Sequence, residues 1–487
     1  MAYLVIAIYV IISTLLLIYS LVEFSLLLNF LFRKNVHEQK EWEELPYVTI
    51  QLPMYNESYV VERLIDRIVE LDYPKDKLEI QVLDDSTDDT VEKAKAKVEY
   101  YQQQGFDIQY IQRDNRVGFK AGALDYGLNT AKGEFIAIFD ADFLPTASFL
   151  MEAIPYFSNE KIGVVQSRWT YLNENYSFLT RLQTVILNTH FSVEQGGRNA
   201  SGAYINFNGT AGIWRTACIA DAGGWEADTL TEDLDLSFRA QMRGWKFAYV
   251  SEIESPSELP LTLPAYRVQQ FRWSKGAAEC VRKNVRALIK DKRPSFWAKL
   301  IGSFHLLNSS VYLIVVAFIL LSFPVTLAIE RLPADSWVYY LFPVFLCTNV
   351  LLLLVFAGGN ITFAKNKVWG TITFPFIFIS FLVLNMGMSV YMALGVIEGY
   401  IGKKSEFIRT PKFNITAEKT RGEHKKYKRI QITPLLLLES LFMGYGIFQV
   451  VYHLNHQNIP MLLFTGAFTI GFLYNVSATV YHSVFSK

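Results

Sequence analysis

Apolar stretches long enough to cross a membrane lie at both ends of this 487-residue chain, and they enclose a middle region rich in charged residues. Residues 2–32 are apolar apart from a few scattered polar positions. At about 1.5 Å of rise per helical residue, about 20 such residues span a hydrocarbon core. Further stretches of this kind fill the final third. We therefore expect a folded domain over about residues 35–298, held in a frame of membrane helices.

Charge and cysteine content narrow the possible partners. Lysine and arginine (46) equal aspartate and glutamate (46), so the formal net charge is zero. A neutral chain gives no electrostatic reason to expect nucleic acid as a partner. Cys218, Cys280 and Cys347 lack metal-ligand spacing, and their odd number argues against a disulfide framework. The middle region is therefore expected to be cytosolic.

The membrane frame is expected to cross the bilayer five times. Arg33 and Lys34 follow the first apolar stretch, which places its carboxyl-terminal end in the cytosol as an uncleaved anchor. Residues 370–400 are also apolar, but a crossing there would put a basic loop outside, against the positive-inside rule. We therefore expect them to be interfacial or re-entrant. The predicted division is an anchor (1–34), a cytoplasmic domain (35–255), interfacial helices (256–298), a transmembrane hairpin (299–357), an interfacial or re-entrant segment with a loop (358–433) and a last hairpin (434–487).

Strand and helix patterns alternate at short intervals in the middle region. Helices are expected over about 58–71, from Asp89 to before Gly105, and over 120–130. The alternation predicts a mostly parallel, right-handed α/β sheet. The predicted strands cover residues 48–52, 78–83, 108–111 and 135–139.

Two acids follow the last of these strands, where the stretch Gly133–Asp142 ends in Asp140-Ala-Asp142. The carboxyl ends of parallel strands are where α/β sheets bind ligands, and two carboxylates in one turn suit a hard cation that bridges phosphates. A second D-x-D, Asp233-Leu-Asp235, lies in a helical pattern in which residues two apart face different directions. Only the first pair is therefore expected to chelate a metal.

Other acids and two cations are predicted along the same edge of the sheet. Glu57 follows the first strand, Asp84 and Asp85 close the second, and Arg116 and Lys120 lie near the third. Neither the dinucleotide fingerprint G-x-G-x-x-G nor the P-loop G-x-x-x-x-G-K occurs at these strand ends. Acids, a metal and a lysine suit a nucleoside diphosphate, because acids bind ribose or base donors and the cations neutralise the phosphates.

Three later motifs complete the candidate site. Phe207–Gly212 is a glycine-bearing loop where backbone can approach a ligand. Thr231 is expected to cap a helix whose first turn holds Asp233, where the positive helix end would favour a charged carboxylate and hence a base. Gln269-Gln-Phe-Arg-Trp273 lies in a basic, aromatic segment typical of an interfacial helix, in which Trp273 is either a ligand contact or a membrane anchor.

Together these motifs resemble glycosyltransferase family 2, in its processive membrane branch of cellulose synthase-like proteins. The D-D, D-x-D, T-E-D and Q-x-x-R-W elements occur in the order typical of that family. The phrases Gln51–Glu57, Gln81–Thr87, Arg113–Arg116 with Lys120–Leu124, and Phe207–Gly212 look most like the plant-type mannan and glucan synthases of the cellulose synthase-like A and C groups. The resemblance covers about residues 45–290. It implies a GT-A-type, mostly parallel α/β sheet domain inserted in an α-helical transmembrane frame.

The resemblance also implies roles for individual residues. Asp233 would be the catalytic base, and Asp140 and Asp142 would bind Mg²⁺ or Mn²⁺. The nucleotide contacts would be Tyr55, Glu57, Asp84, Asp85, Lys120 and Asp140. The acceptor and diphosphate platform would be Thr231, Glu232, Gln269, Arg272 and Trp273. A segment similar to the F-x-V-T-x-K gating loop has Arg409 where the motif has valine, and its candidate residues are Phe407, Arg409, Thr410 and Lys412.

The function implied is transfer of a hexose from UDP-glucose or GDP-mannose to a growing β-1,4-glycan, with inversion at the sugar carbon and coupled translocation. The partners would be a nucleotide sugar, a glycan acceptor and the lipid bilayer. The catalytic domain would face the cytoplasm, at the plasma membrane of a bacterium or the Golgi of a eukaryote. Two alternatives stay open: a transferase with a lipid acceptor, such as ceramide or polyprenyl phosphate, and a non-catalytic channel or scaffold that keeps a nucleotide-binding domain.

Overall fold

A seven-stranded sheet forms the centre of the middle region. The computed structural model describes residues 2–33, 37, 39–333, 336, 338, 342–364, 366–405, 412, 414 and 434–485. The strands are β1 (Val48–Met54), β2 (Leu78–Asp84), β3 (Asp107–Ile111), β4 (Phe135–Ile138), β5 (Ile162–Tyr171), β6 (Gly212–Arg215) and β7 (Lys246–Ser257).

The order of strands in the sheet is β3-β2-β1-β4-β6-β5-β7. The first four strands in this order run parallel, β5 and β7 are parallel, and β6 is antiparallel to both of its neighbours. The predicted mostly parallel α/β sheet is confirmed, and all four predicted strands are present with ends shifted by at most two residues.

Helices cover both faces of this sheet and continue into the membrane frame. The amino-terminal anchor is α1 (Ala2–Phe32). In the middle region the helices are α2 (Val61–Val69), α3 (Thr90–Gln103), α4 (Phe119–Leu128), α5 (Phe149–Ala153), α6 (Phe178–Thr189), α7 (Gly197–Ser201), α8 (Thr216–Asp221), α9 (Glu232–Arg243) and α10 (Leu263–Lys290). A π-helical segment, His190–Gly196, joins α6 to α7. The later helices are α11 (Phe296–Leu307), α12 (Val311–Ile329), α13 (Phe342–Ile361), α14 (Lys367–Ile401), α15 (Pro434–Asn455) and α16 (Ile459–Phe485).

The two faces of the sheet have separate apolar cores, as the two-residue period of a strand requires. In β4, Phe135 and Ala137 pack into the core that contains α2 and α3, whereas Ile136 and Ile138 pack into the core beneath α4 and α9. All four side chains are fully buried. A central strand buried on both faces is a nearly continuous apolar run, so the acids that follow it emerge only at its carboxyl end.

Five of the described helices are long and apolar enough to cross a membrane. Cys347–Ile361 is a shorter apolar helix inside α13, in the second half of the predicted hairpin. The five candidates are Ala2–Phe32, Phe296–Ile329, Lys367–Ile401, Pro434–Asn455 and Ile459–Tyr481.

Helix α14 occupies the segment that we expected to be interfacial or re-entrant. It is one continuous helix of 35 residues, which leaves no turn for the re-entrant alternative. Near its start the Phe376 ring lies 6.2 Å from that of Phe178 at the beginning of α6. Beyond its end, a Cβ built at Gly402 would lie 1.7 Å from Nη1 of Arg282 on α10. Both ends therefore contact the middle region, and the interfacial placement stays a prediction.

Candidate active site

A single cavity at the carboxyl ends of the parallel strands brings together most of the predicted site residues. Its wall is formed by the ends of β1 and β4, the start of α4, the loop before β6, the first turn of α9 and one face of α10. The predicted residues among those that line it are Tyr55, Glu57, Asp85, Lys120, Asp140, Asp142, Thr231, Glu232, Asp233, Gln269, Arg272, Trp273 and Lys412. Phe407, Arg409 and Thr410 lie outside the described residues.

Asp84 does not line the cavity, contrary to the sequence-based expectation. Its side chain is fully buried, where it accepts hydrogen bonds from the Ser86 amide (2.9 Å) and the Tyr110 hydroxyl (3.0 Å). Consecutive residues at a strand end point to different sides, so only one acid of the pair reaches the ligand edge. Asp85 reaches it, and Arg113 binds both of its carboxylate oxygens, one of them at 3.0 Å through Nε.

Arg116 stacks on two aromatic rings at the edge of the cavity, an arrangement that the sequence analysis did not anticipate. The guanidinium carbon of Arg116 lies 3.2 Å from the centre of the Tyr55 ring and 5.0 Å from that of Phe119. Stacking a guanidinium on aromatic rings combines cation–π and apolar contact. Tyr55 and Arg116 were each noted in the sequence, but their stacking depends on how the loops after β1 and β3 meet, which no local pattern encodes.

Each acid of the D-x-D motif is paired with a lysine. Lys120 forms an ion pair with Asp140 and donates to the Gly209 carbonyl at 2.8 Å. Lys412 Nζ lies 2.5 Å from Asp142 Oδ2 and also donates to the Glu258 carbonyl at 2.8 Å. Carboxylate oxygens are the ligands that Mg²⁺ and Mn²⁺ prefer, so this donor set fits a hard divalent cation.

Asp233 lies in the first turn of α9, where it faces the glycine loop before β6. Burial, followed by the neighbouring charge of Glu232, raises the pKa of Asp233 to about 7. The expected lowering by the positive helix end is therefore outweighed, since desolvation disfavours the charged form. Gly209 has φ +82°, and a Cβ there would lie 2.9 Å from Asp233 Oδ2, so the loop requires glycine both for its backbone and for its approach to the acid.

Asp235 points away from the cavity, which confirms that the two acids of this second D-x-D face different directions. It is fully buried and accepts hydrogen bonds from Arg239 Nε (2.8 Å), Lys283 Nζ (3.0 Å) and Asn284 Nδ2 (2.8 Å). Thr231 precedes α9, but its side chain makes no capping hydrogen bond, contrary to expectation. Its hydroxyl instead lies 3.4 Å from the Cys280 sulfur on α10.

The π-helical segment also supports the cavity, and we did not anticipate it. His190 contacts Glu194 through Nδ1 (3.0 Å) and the amide oxygen of Asn208 through Nε2 (2.9 Å). Asn208 lines the cavity beside Gly209. The spacing His-x-x-x-Glu within an apolar run was visible in the sequence, but only the fold shows that it reaches the glycine loop.

The chain belongs to glycosyltransferase family 2. Residues 46–276 match the family described as "Glycosyltransferase like family 2". The chain is also 34% identical over 450 residues to glucomannan 4-beta-mannosyltransferase 1 of Oryza sativa subsp. japonica, which covers 88% of this chain and 82% of that protein. These matches agree with the cellulose synthase-like mannan synthase resemblance.

Other relatives align over a smaller part of their length. Glucomannan 4-beta-mannosyltransferase 2 of Arabidopsis thaliana is 41% identical over 312 residues, which cover 62% of this chain and 58% of that protein. The chain thus spans about three fifths of that relative.

Among solved structures, the mannosyltransferase PcManGT from Pyrobaculum calidifontis, in complex with GDP-Man and Mn²⁺, has a TM-score of 0.54 at 19% identity, covering 82% of this chain and 100% of that one. At this identity the similarity shows the fold.

Proposed function

We propose that this protein transfers mannose from a nucleoside-diphosphate sugar to the 4-hydroxyl of a growing β-glycan. The observation that carries the proposal is the placement of Asp233 in one cavity with the D-x-D acids and the Gln269, Arg272 and Trp273 face of α10. The relatives named as glucomannan 4-beta-mannosyltransferases favour mannose over glucose as the transferred sugar. GDP-mannose is therefore the first donor to test, and UDP-glucose is the second.

The cavity residues have two roles in this reaction: some act on the attacking hydroxyl, and others bind the departing diphosphate. Asp233 takes the proton of the acceptor hydroxyl as its oxygen bonds to the sugar carbon, while the bond to the diphosphate breaks with its electron pair leaving on phosphate. A general base of this kind typically contributes about 10²- to 10⁴-fold. Lys120 and Arg272 line the same cavity and would supply fixed positive charges to the diphosphate, and the aromatic face of Trp273 suits the apolar side of a sugar ring.

Asp140 and Asp142 are the residues that would hold a divalent cation. Bound there, Mg²⁺ or Mn²⁺ would neutralise the charge that develops on the leaving diphosphate. In the structure each acid has a lysine partner, Lys120 for Asp140 and Lys412 for Asp142, so a cation that binds there would take the place of these contacts. The complex of PcManGT with Mn²⁺ makes Mn²⁺ the first ion to assay.

The proposed topology has five crossings, made by α1, by α11 with α12, and by α13, α15 and α16. The cavity lies on the cytoplasmic side, and α14 lies along the interface. The Tyr452 hydroxyl donates to Glu330 at 2.8 Å, so the end of α12 and the end of α15 lie together, as the two outer turns of the predicted hairpins would. Repeated transfer and passage of the glycan through the membrane helices belong to the same proposal.

A panel of donors with sizing of the product tests the proposal. Membranes containing the protein are incubated with radiolabelled GDP-mannose, UDP-glucose or GDP-glucose and Mn²⁺. We expect label from GDP-mannose in a polymer that endo-β-mannanase digests. Label that extracts into organic solvent would favour the lipid-acceptor alternative, and no donor turnover in any reaction would favour the non-catalytic one.

A further inference from the structure

Helix α10 touches the segment before the proposed base at a glycine, Gly276, three residues after Trp273. A Cβ built at Gly276 would lie 2.5 Å from Thr231 Cγ2, 2.7 Å from Thr231 Oγ1 and 2.9 Å from the Thr231 amide nitrogen. Distances below about 3.0 Å are not found between real Cβ atoms and their neighbours, so an added methyl group must displace something. The contact with the side chain and the amide nitrogen of Thr231 therefore leaves no room for a side chain at position 276.

The same face of α10 holds this segment by hydrogen bonds as well as by packing. Glu279, one helical turn after Gly276, accepts a hydrogen bond from the Leu230 amide at 2.7 Å. Cys280 contacts the Thr231 hydroxyl at 3.4 Å. Residues three and four apart share a helix face, so these three side-chain positions form one surface, which we call the α10 seat. The seat holds Leu230 and Thr231, and Asp233 follows two residues after Thr231 in the chain.

Helix α10 cannot move back to relieve pressure on the seat, because α14 packs against another of its faces. A Cβ at Gly399 would lie 2.5 Å from the Lys275 carbonyl and 2.7 Å from the Ala278 Cβ. Lys275 is fully buried, and its ammonium group forms an ion pair with Glu398 of α14 at 3.0 Å. A buried lysine needs such a partner, and breaking the pair would leave an uncompensated charge. Any displacement is therefore taken up by Leu230 and Thr231.

We propose that Gly276 and Glu279 are positioning residues for the transfer reaction. They hold the segment before α9 and so set the position of Asp233 relative to Arg272 and Trp273 of α10. The inference rests on the proposed function. It gives the threonine of the T-E-D motif a role other than capping: its side chain fills the seat on α10 while its backbone leads into the helix that carries the acid. The acceptor platform and the base then share one rigid support, whereas the nucleotide is held by the strand ends.

The close contact at Gly276 predicts that Gly276→Ala lowers kcat more than it changes the KM for the donor. The methyl group displaces Thr231, and with it Asp233, relative to Arg272 and Trp273, and a misplacement of about 1 Å can cost about 10²-fold in rate. We expect kcat to fall by about tenfold or more, while the KM for the donor stays within about twofold because Asp140, Lys120 and Tyr55 do not move. Gly444→Ala is the matched control, since a Cβ at Gly444 would have no atom within 4 Å.

A relief variant separates positioning from a general loss of folding. Thr231→Ser removes the Cγ2 atom that the new methyl group would meet at 2.5 Å. In the Thr231→Ser background, Gly276→Ala should therefore lower kcat less than it does in the wild type. The kcat of the double variant is compared with that of Thr231→Ser alone. A kcat of Gly276→Ala equal to that of the wild type, or a loss that Thr231→Ser does not relieve, overturns the inference.

The hydrogen bond from Leu230 provides a second test that does not depend on Gly276→Ala folding. Glu279→Gln keeps an oxygen acceptor and should keep kcat, whereas Glu279→Leu removes it and should lower kcat with little change in donor KM. Equal activity of these two variants contradicts the inference. Failure of the proposed function is distinguishable, because then the wild-type protein itself transfers no sugar from any donor in the panel.

Discussion

Asp233 determines the expected pH dependence of transfer. Burial and Glu232 raise the pKa of Asp233 to about 7, and only its deprotonated form accepts a proton. We therefore expect kcat/KM to rise as the pH increases through about 7 and to level off above it. Initial rates from pH 5.5 to 9 with saturating Mn²⁺ measure this, and a profile already flat between pH 5.5 and 7 would contradict the assignment.

Replacing Asp233 by asparagine should remove catalysis without removing donor binding. The amide keeps the shape of the side chain but accepts no proton, so turnover should fall by about 10²- to 10⁴-fold. Donor affinity, measured by competition with a labelled nucleotide, should be nearly unchanged, because the acid contacts the acceptor rather than the nucleotide. Weaker nucleotide binding with an intact maximal rate would show that the T-E-D assignment is wrong.

The same substitution should stabilise the fold at neutral pH. The pKa of Asp233 is higher in the folded protein than its ordinary value, so between the two values the folded state binds more protons than the unfolded state. Stability contributed by this group then falls as the pH rises through that window, and the full penalty is present above it. Asp233→Asn carries no such penalty, and its thermal midpoint should exceed that of the wild type at pH 8 by more than at pH 4.5.

The acids of the D-x-D motif should be needed for metal-dependent turnover and not for folding. Asp140→Ala and Asp142→Ala each remove carboxylate oxygens from the candidate cation site, while the partner lysines keep their hydrogen bonds to the Gly209 and Glu258 carbonyls. Donor turnover should be abolished in both, with a thermal midpoint close to that of the wild type. Full activity of either variant with Mg²⁺ or Mn²⁺ would remove the metal assignment.

Residue types and strand ends made much of this cavity predictable from the sequence. Asp140 and Asp142 follow a continuous apolar run, which can only be a buried strand in such a context. The side on which Asp84 lies was not predictable, because one residue of register decides which acid of the pair faces the ligand. The contact between Lys412 and Asp142 joins residues 270 positions apart and has no local signature.

At the scale of elements, α9 is joined to α10 by the buried carboxylate of Asp235 as well as by the seat. Asp235→Asn leaves Lys283 with Glu226 (2.6 Å) and Asp228 (2.7 Å), but it weakens the contacts with Arg239 and Asn284. We expect a lower thermal midpoint and a kcat within about tenfold of the wild type, because removing one partner of a buried charge network mainly costs stability. A loss of kcat as large as that of Asp233→Asn, with unchanged stability, would contradict this division of roles.

The elements themselves were predicted with uneven success, for physical reasons. Strands β1 to β4 and helices α2 to α4 follow clear periods, and their ends are accurate to within a few residues. Helix α14 was recognised as apolar, but the expectation of an interfacial or re-entrant segment came from the basic loop after it and not from its own pattern. The structure has one continuous helix through Pro375. Strands β5 to β7 and the π-helical segment lie in a stretch without clear alternation, and tertiary contacts set their limits.

At the scale of the whole molecule, the interfacial placement of α14 can be tested by labelling. If α14 does not cross the membrane, Ser405 lies on the same side as the cavity. In a Cys347→Ser background, a cysteine at position 405 should resist an impermeant thiol reagent in intact cells, whereas a cysteine at Gln457 in the predicted outer loop should react. Equal labelling at both positions would mean that α14 is a sixth crossing.

Contacts of helix α10 with α14 and α15 limit how the protein can be studied. Leu263 and Tyr266 are buried against Phe374, Phe378 and other apolar side chains of α14. Arg267 forms a buried ion pair with Glu439 of α15. A fragment restricted to the region that matches the family, residues 46–276, would therefore expose an apolar helix face and an unpaired arginine beside its own acceptor platform. Such a fragment should aggregate or lose the platform, so purification in detergent or nanodiscs with α14 and α15 retained is the route to an active sample.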